Sequence, residues 1–380
     1  MNAQKKIGIL TTPLYVNYGG ILQAYALQKY LNRLGYEAYL INLKFKEPSL
    51  FQKIIRLIKI ATSKYIFSNR NASFINSDFT TKQRRIVSKQ TSKFIDIHIQ
   101  PKTLEIKGVK NISQILKCGF DVYIVGSDQV WRPLYCNVNT YFLDFLITDN
   151  TIKRIVYAAS FGVDVWEYTK EETEICKVLA RKFNAVSVRE YSGIDLCKKY
   201  LNIDAIHLID PTMLLTEEDY SSLIIKEKTK SDLLVYLLDY HSEKDQLINK
   251  ISSYFGYKPF SSNNAKTEDP HFSAKERIAP SVESWLNGFK TSKYVITDSF
   301  HGTVFSILFH VPFIVCGNKK RGMARFISLL QKFGLENRLI YSDNDLTIER
   351  IIEPIKWDQI DKVLQLEREK SFNFLINNII

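Results

Sequence analysis

The sequence predicts an α/β protein made of two doubly wound halves that face each other across a cleft. Three observations carry that prediction. Short runs of aliphatic and β-branched residues alternate with helix-length amphipathic segments, first over residues 6–209 and again over residues 233–316. That alternation builds parallel sheets covered by helices on both faces. Asp210-Pro211-Thr212 separates the two series, because proline disfavours helix at the residue before it. Polar turns rich in Gly, Ser, Asp or His follow several of the strand runs, at the strand ends where doubly wound folds bind ligands.

In chain order, Lys6–Thr11 reads as the first strand, Thr12–Gly20 as a loop and Ile21–Leu34 as an amphipathic helix that Gly35 stops. Tyr36–Leu43 is the next strand. A basic segment then breaks the rhythm, which resumes at Val122–Val125, Ile155–Ala159 and Ala185–Val188 and ends near His207–Ile209. The second half places strands at Leu233–Leu238, Tyr294–Thr297 and Phe313–Cys316. Ser261–Pro280, polar and carrying Pro270 and Pro280, reads as a surface loop. Trp357–Ile380 reads as a terminal helix able to cross back to the first half. The expected division is an N-terminal Rossmann-like domain over residues 1–212 with a basic insertion at 44–117, a C-terminal Rossmann-like domain over 213–356, and the helix 357–380. Two such halves across a cleft resemble the GT-B arrangement of glycosyltransferases.

At 380 residues the chain is long enough for two cores. No stretch approaches the ~20 apolar residues of a membrane span, and the run Ile7 to Leu10 is too short for a signal peptide. The five cysteines form no CxxC pair and have no histidine at zinc spacing, so neither a disulfide framework nor a metal site is expected. A reducing, cytoplasmic location follows. Of the 52 Lys/Arg and 40 Asp/Glu, 16 and 4 fall between Lys44 and Lys117, which leaves 36 of each sign elsewhere. The net charge of +12 therefore sits in one segment. Within it, Leu50–Ile66 sets Lys53, Arg56, Lys59 and Ser63 at helical spacing among Phe51, Ile54, Ile55, Leu57, Ile58 and Ile60. Such a helix can lie on an anionic membrane, or be a core helix with a solvated face.

The strongest local signal is Val295-Ile296-Thr297-Asp298-Ser299-Phe300-His301-Gly302-Thr303, a strand entering a polar turn and then the apolar helix Val304–Phe309. Free N–H groups at a helix start bind anions. Gly302 would allow close approach of a ligand, Ser299 and Thr303 offer hydroxyls, and His301 can donate to phosphate or act as acid or base. The alternative is a helix cap beside a satisfied edge histidine. Asn17-Tyr18-Gly19-Gly20 follows the first strand, so Asn17, Gly19 and Gly20 can hold a phosphate or a sugar, or make a plain tight turn. Gly126-Ser127-Asp128-Gln129-Val130-Trp131 follows another strand. There Asp128 can take a proton from a sugar hydroxyl, with Ser127 beside it and Trp131 as an apolar face for a pyranose, unless Asp128 only caps the turn. Arg189 points to the cleft or pairs with Glu190 or a nearby acid. The basic loop Gly317–Arg325 carries Lys319 and Arg321, whose fork would suit a carboxylate or phosphate.

Taken as an ordered set, these stretches resemble the polysaccharide pyruvyl transferase family. Asp298–Gly302 looks like its Asp-Ser-Phe-His-Gly turn, with Ser299 where the family often has arginine. Asn17–Gly20 with Leu22–Leu27, Gly126–Trp131, Ser187-Val188-Arg189-Glu190 and Asp210-Pro211-Thr212 are similar to its other signatures. The resemblance implies transfer of the pyruvyl unit of phosphoenolpyruvate to a sugar as a ketal, with no further cofactor and no metal. It implies His301, or else Asp298, as acid and Asp128 as base. Ser299, Gly302, Thr303, Arg321, Arg189 and Lys319 would bind the donor. Asn17, Gly19, Gly20, Ser127 and Trp131 would bind the acceptor, an oligosaccharide expected to be lipid-linked at the inner face of the cell membrane.

Two other readings stay open. A GT-B glycosyltransferase using a nucleotide sugar usually holds the ribose with a glutamate in the second half, and the turn Asp298–Thr303 and helix Val304–His310 contain none. A non-catalytic membrane- or polyanion-binding protein would use Lys44–Lys117, although no common nucleic-acid-binding motif is present and no nucleic-acid partner is expected.

Overall fold

The computed structural model describes residues 4–44, 81–107, 109–149, 151–224, 231–318, 321–342 and 345–380. The basic run Leu50–Ile66 and Lys319 lie outside the described residues.

The first half contains β1 (Lys6–Leu10), α1 (Tyr18–Arg33), β2 (Glu37–Leu40), β3 (Leu43–Lys44), α2 (Lys89–His98), β4 (Ile106–Lys107), β5 (Val122–Val125), β6 (Lys153–Ala159), α3 (Lys170–Ala180), β7 (Ala185–Val188), α4 (Tyr191–Leu196) and β8 (Ile206–His207). Its six-stranded sheet runs β2-β1-β5-β6-β7-β8, and β3 pairs with β4 separately. The second half contains β9 (Ser231–Tyr236), α5 (Glu243–Phe255), β10 (Pro259–Phe260), α6 (Val282–Thr291), β11 (Ser292–Thr297), α7 (Phe300–Leu308), β12 (Phe313–Cys316), α8 (Ala324–Phe333) and β13 (Leu339–Ile340), and α9 (Trp357–Ile379) ends the chain. Its sheet runs β10-β9-β11-β12-β13. The pairings in both sheets are parallel. Val122–Val125 and Phe313–Cys316 are buried at every position, as strands covered on both faces must be.

Two helix starts differ from the sequence reading in the same way. Asn17 caps α1 by accepting from Gly20 N, so Tyr18, Gly19 and Gly20 form its first turn rather than a loop. Ser299 caps α7 by accepting from Gly302 N, so the helix opens at Phe300 and includes His301, Gly302 and Thr303. Strands β10 and β13 are only two residues long, too short to leave a periodic signal. Residues 261–280 form a wall of the cleft rather than only a surface loop. Its buried strut is Arg277, whose Nε and Nη2 donate to Thr267 O at 3.1 and 2.9 Å.

One apolar cluster runs through both halves. It joins Leu22 and Leu27 of α1 to Trp285 of α6, Phe305 of α7 and Leu364 of α9. Two further clusters cover the opposite faces of the two sheets. Tyr18 stacks on Trp285 with ring centroids 5.4 Å apart, and its hydroxyl donates to Pro280 O at 3.0 Å. Helix α9 lies against the first half. Lys5 Nζ donates to Ile379 O at 2.7 Å, and Tyr157 meets Phe374 at 6.3 Å. Arg368 donates from Nε to Met213 O at 2.8 Å and from Nη2 to Leu215 O at 2.6 Å, both carbonyls belonging to fully buried residues. Among the described residues no helix is long and apolar enough to cross a membrane.

Truncating Arg368 to alanine strands two buried acceptors. Arg368→Ala is expected to lower unfolding stability by about 1–3 kcal/mol, read as a lower urea midpoint with unchanged slope. An unchanged midpoint would mean that α9 is held by its apolar face alone.

Candidate active site

The carboxyl ends of both sheets open onto one cavity of about 420 Å³. Asn17 reaches it from the loop after β1, Asp128 from the turn after β5, and Asp298, Ser299 and His301 from the turn after β11. Arg321 and Arg325 enter from the segment after β12. The fold thus brings together six of the residues singled out in the sequence and adds Arg325.

His301 sits where the halves meet. A Cβ on Gly19 would lie 1.9 Å from His301 Nδ1, so only glycine lets the imidazole rest on the start of α1. Its Nε2 is 3.6 Å from Asp210 Oδ2 and has no hydrogen-bond partner among the described residues. Asp210 is the hub of the first half. Its Oδ2 accepts from Arg189 Nη1 at 2.6 Å and Ser127 Oγ at 2.9 Å, and its Oδ1 accepts from Thr212 N and Oγ1 at 3.0 and 2.7 Å. Burial would raise its pKa, but His301, Arg189 and Thr212 outweigh that and hold the carboxyl well below the ordinary range. Asp128 adopts a left-handed backbone, φ 75°. Its Oδ1 accepts from Gln129 N at 2.9 Å and lies 3.6 Å from Arg189 Nη2, while Asn17 Nδ2 donates to Oδ2 at 3.5 Å.

Several expected contacts are corrected by this geometry. Trp131 is fully buried and stacked on Phe142 at 4.6 Å, so it offers no face to a sugar. Ser127 is buried on Asp210. Gly20 lies in the first turn of α1, where a Cβ would meet Asn17 Nδ2 at 3.1 Å and Asp128 Oδ2 at 3.5 Å. A Cβ on Gly302 would lie 2.2 Å from Thr297 Oγ1, so this glycine lets α7 pack on β11. Thr303 is buried, and its hydroxyl donates back to Ser299 O at 3.1 Å. Asp298 accepts from Leu238 N at 2.6 Å, Asp239 N at 3.0 Å and Lys244 Nζ at 2.8 Å. Engaged by two amides and an ammonium, this carboxylate ties β11 to the residues after β9. Arg189 pairs with Asp210, not Glu190. Glu190 instead accepts from Phe161 N, Gly162 N and Ser160 Oγ. The Arg321 fork is engaged by Asp239, Nε to Oδ2 at 2.8 Å and Nη2 to Oδ1 at 3.2 Å, although the residue still lines the cavity. Among the described residues no cluster of three His, Cys, Asp or Glu could hold a metal ion.

Sequence reading missed the part played by Arg325. It ends the basic loop Gly317–Arg325 and begins α8, and only the chain's turn at Gly322 brings it into the cleft. Gly322 has φ 90°, and a Cβ on it would lie 1.9 Å from Gly162 O in the first half.

The family model described as polysaccharide pyruvyl transferase matches residues 17–320. The chain belongs to that family. Among curated proteins none is detectably similar in sequence. The chain has a GT-B-like fold. It is similar to a UDP-N-acetylglucosamine 2-epimerase from Rickettsia bellii, with TM-score 0.53 at 8% identity over 99% of this chain and 97% of that one. A UDP-GlcNAc 2-epimerase from Methanocaldococcus jannaschii, in complex with UDP-GlcNAc and UDP, gives 0.49 at 11% over 98% and 100%. A glycosyltransferase from Rickettsia africae gives 0.44 at 12% over 100% and 96%.

Behind Arg189 stands His207, whose Nε2 lies 2.9 Å from Arg189 O and whose ring stacks on Tyr191 at 4.2 Å. Burial, with Lys332 nearby, lowers its pKa to about 4. The unfolded chain therefore takes up this proton near pH 6.5 while the folded transferase resists it. Stability from this group is full above pH 6.5 and is lost as the pH falls through 6.5 toward 4, by roughly 3 kcal/mol in all. His207→Gln should flatten denaturation midpoints over that window. A parallel decline in both proteins would assign the acid sensitivity to other groups.

Proposed function

We propose that this pyruvyl transferase moves the carbon frame of phosphoenolpyruvate onto two hydroxyls of one sugar, giving a pyruvate ketal and inorganic phosphate. A proton is added to the methylene carbon, which becomes a methyl group. Two bonds form from C2 to sugar oxygens, and the bond from C2 to the phosphate oxygen breaks. The two hydroxyls give up two protons, one replacing that spent on carbon and one leaving with phosphate. The observation that carries this reading is His301, a buried imidazole whose Nε2 is unpartnered beside a cavity that also holds Asp128 and arginines. On this reading His301 protonates the methylene and Asp128 receives a hydroxyl proton. The start of α7 attracts the phosphate.

Phosphoenolpyruvate at about 100 times its dissociation constant should stabilise the protein by about 2.7 kcal/mol in a thermal shift measurement. His301→Ala should abolish acceptor-dependent phosphate release while leaving the melting curve of the unliganded protein in place. Stabilisation by a nucleotide sugar with none by phosphoenolpyruvate would overturn the assignment.

We further propose that the acceptor is a lipid-linked oligosaccharide met at the cytoplasmic face of the membrane. The support is the placement of the whole charge excess in Lys44–Lys117 together with the pattern of Leu50–Ile66. Each Lys or Arg near an anionic bilayer contributes roughly 1 kcal/mol, so three or four suffice for reversible docking. Co-sedimentation with anionic vesicles at low salt should be lost on changing Lys53, Arg56 and Lys59 to Glu. Native protein that stays in the supernatant at low salt would refute a membrane-borne acceptor.

A further inference from the structure

Arg325 differs from Arg321, which lines the cavity with it, and from Arg189 and Lys244 behind the lining. Arg321 is held by Asp239, Lys244 by Asp298 and Arg189 by Asp210. Among the described residues no carboxylate is ion-paired with Arg325, although it is buried. Its Nη2 donates to Arg321 O at 2.8 Å, and its Nε is buried without a partner. Burial, and then the like charge of Arg189, lower its pKa to about 10. An unpaired buried guanidinium is costly to keep.

Three groups surround the Phe300 ring. The Arg189 guanidinium lies 4.3 Å from its centroid, the Arg325 guanidinium 5.5 Å, and the His301 ring 5.2 Å. Among the described residues, Nε of Arg325 and Nε of Arg189 have no hydrogen-bond partner, while Arg189 Nη2 and His301 Nε2 stand off at 3.6 Å from Asp128 Oδ1 and Asp210 Oδ2. Buried donors without acceptors call for an acceptor from outside the chain.

We propose that Arg325 seats the carboxylate of the donor, with Arg189 closing the seat across Phe300. This inference rests on the proposed donor. One unpaired fixed charge and a planar fork match a planar monoanion, and they match it better than the more highly charged phosphate. The phosphate then lies on the other side, toward the start of α7. His301, between them, faces the carbon frame.

The test is calorimetric titration of full-length protein with phosphoenolpyruvate and, separately, with inorganic phosphate. Arg325→Met keeps the apolar stem and removes the fork. It should weaken phosphoenolpyruvate binding about 10- to 100-fold, as expected for lost hydrogen bonds between charged groups. Phosphate affinity should change by less than about threefold, and Arg325→Lys should fall between native and Met. The unliganded Met variant should melt no lower than the native protein, since it loses an unpaired buried charge. Unchanged phosphoenolpyruvate affinity would overturn the assignment. So would phosphate affinity falling in parallel, or a Met variant that melts well below native. If the native protein binds no phosphoenolpyruvate, the donor reading itself fails, and that result appears before any variant is made.

Discussion

The site is organised around the buried carboxylate of Asp210. It stands at the break between the two halves and gathers Ser127, Arg189 and Thr212 from the first half, with His301 of the second half 3.6 Å away. A buried ion pair of this kind is weak evidence for stability, because desolvating both charges consumes most of their attraction. Its effect is geometric. With Arg189 fixed on Asp210, one guanidinium nitrogen is directed to Asp128 and the group as a whole to Phe300. The side chains of three separate signatures, after β5, after β7 and after β11, are thereby referred to one anion.

Glycines set how closely the halves approach. His301 lies on Gly19, and Gly322 lies on Gly162 O, at separations that no Cβ would allow. Both contacts flank the cavity. Together with the apolar cluster shared by α1, α6, α7 and α9, they hold the halves at a defined spacing, and the cleft dimensions follow from that spacing. Interiors are close-packed and transmit small displacements, so these contacts position His301 relative to Asp128 although neither glycine touches a reacting atom.

Much of this was legible in the sequence. Val122–Val125 and Phe313–Cys316 match the observed strands to the residue, because fully buried parallel strands read as unbroken apolar runs bounded by turn residues, and Ala185–Val188 matches too although Ser187 interrupts its run. Strand-end turns identified Asn17, Asp128, Asp298, Ser299 and His301 as cleft residues, since topology alone fixes which ends face the crevice. What the pattern could not supply was the direction of each side chain. Ser127 and Asp128 are neighbours, yet one is buried on Asp210 and the other opens to the cavity, because Asp128 has a left-handed backbone. Trp131, three residues on, returns to the core. Helix starts were set three to four residues late for one physical reason. A polar residue followed by glycine reads as a loop, whereas Asn17 and Ser299 act as N-caps and the residues after them are already helical.

The basic loop after β12 shows the same limit in electrostatic form. Arg321 and Arg325 are equivalent as letters, four residues apart in a run of positive charge. Folding separates them completely. Arg321 meets Asp239, 82 positions earlier and linked to it by no local pattern, and its charge is neutralised within the second half. Arg325 is carried into α8 and buried against Phe300 with no ion-paired acid among the described residues, in the company of a second arginine. Stability alone would not select that arrangement, because the same volume filled by an apolar side chain would avoid two like charges in a dry site. Buried donors that the fold leaves unsatisfied at a cleft, while it satisfies Asp298 and Asp210 several times over, mark where an external anion completes the structure.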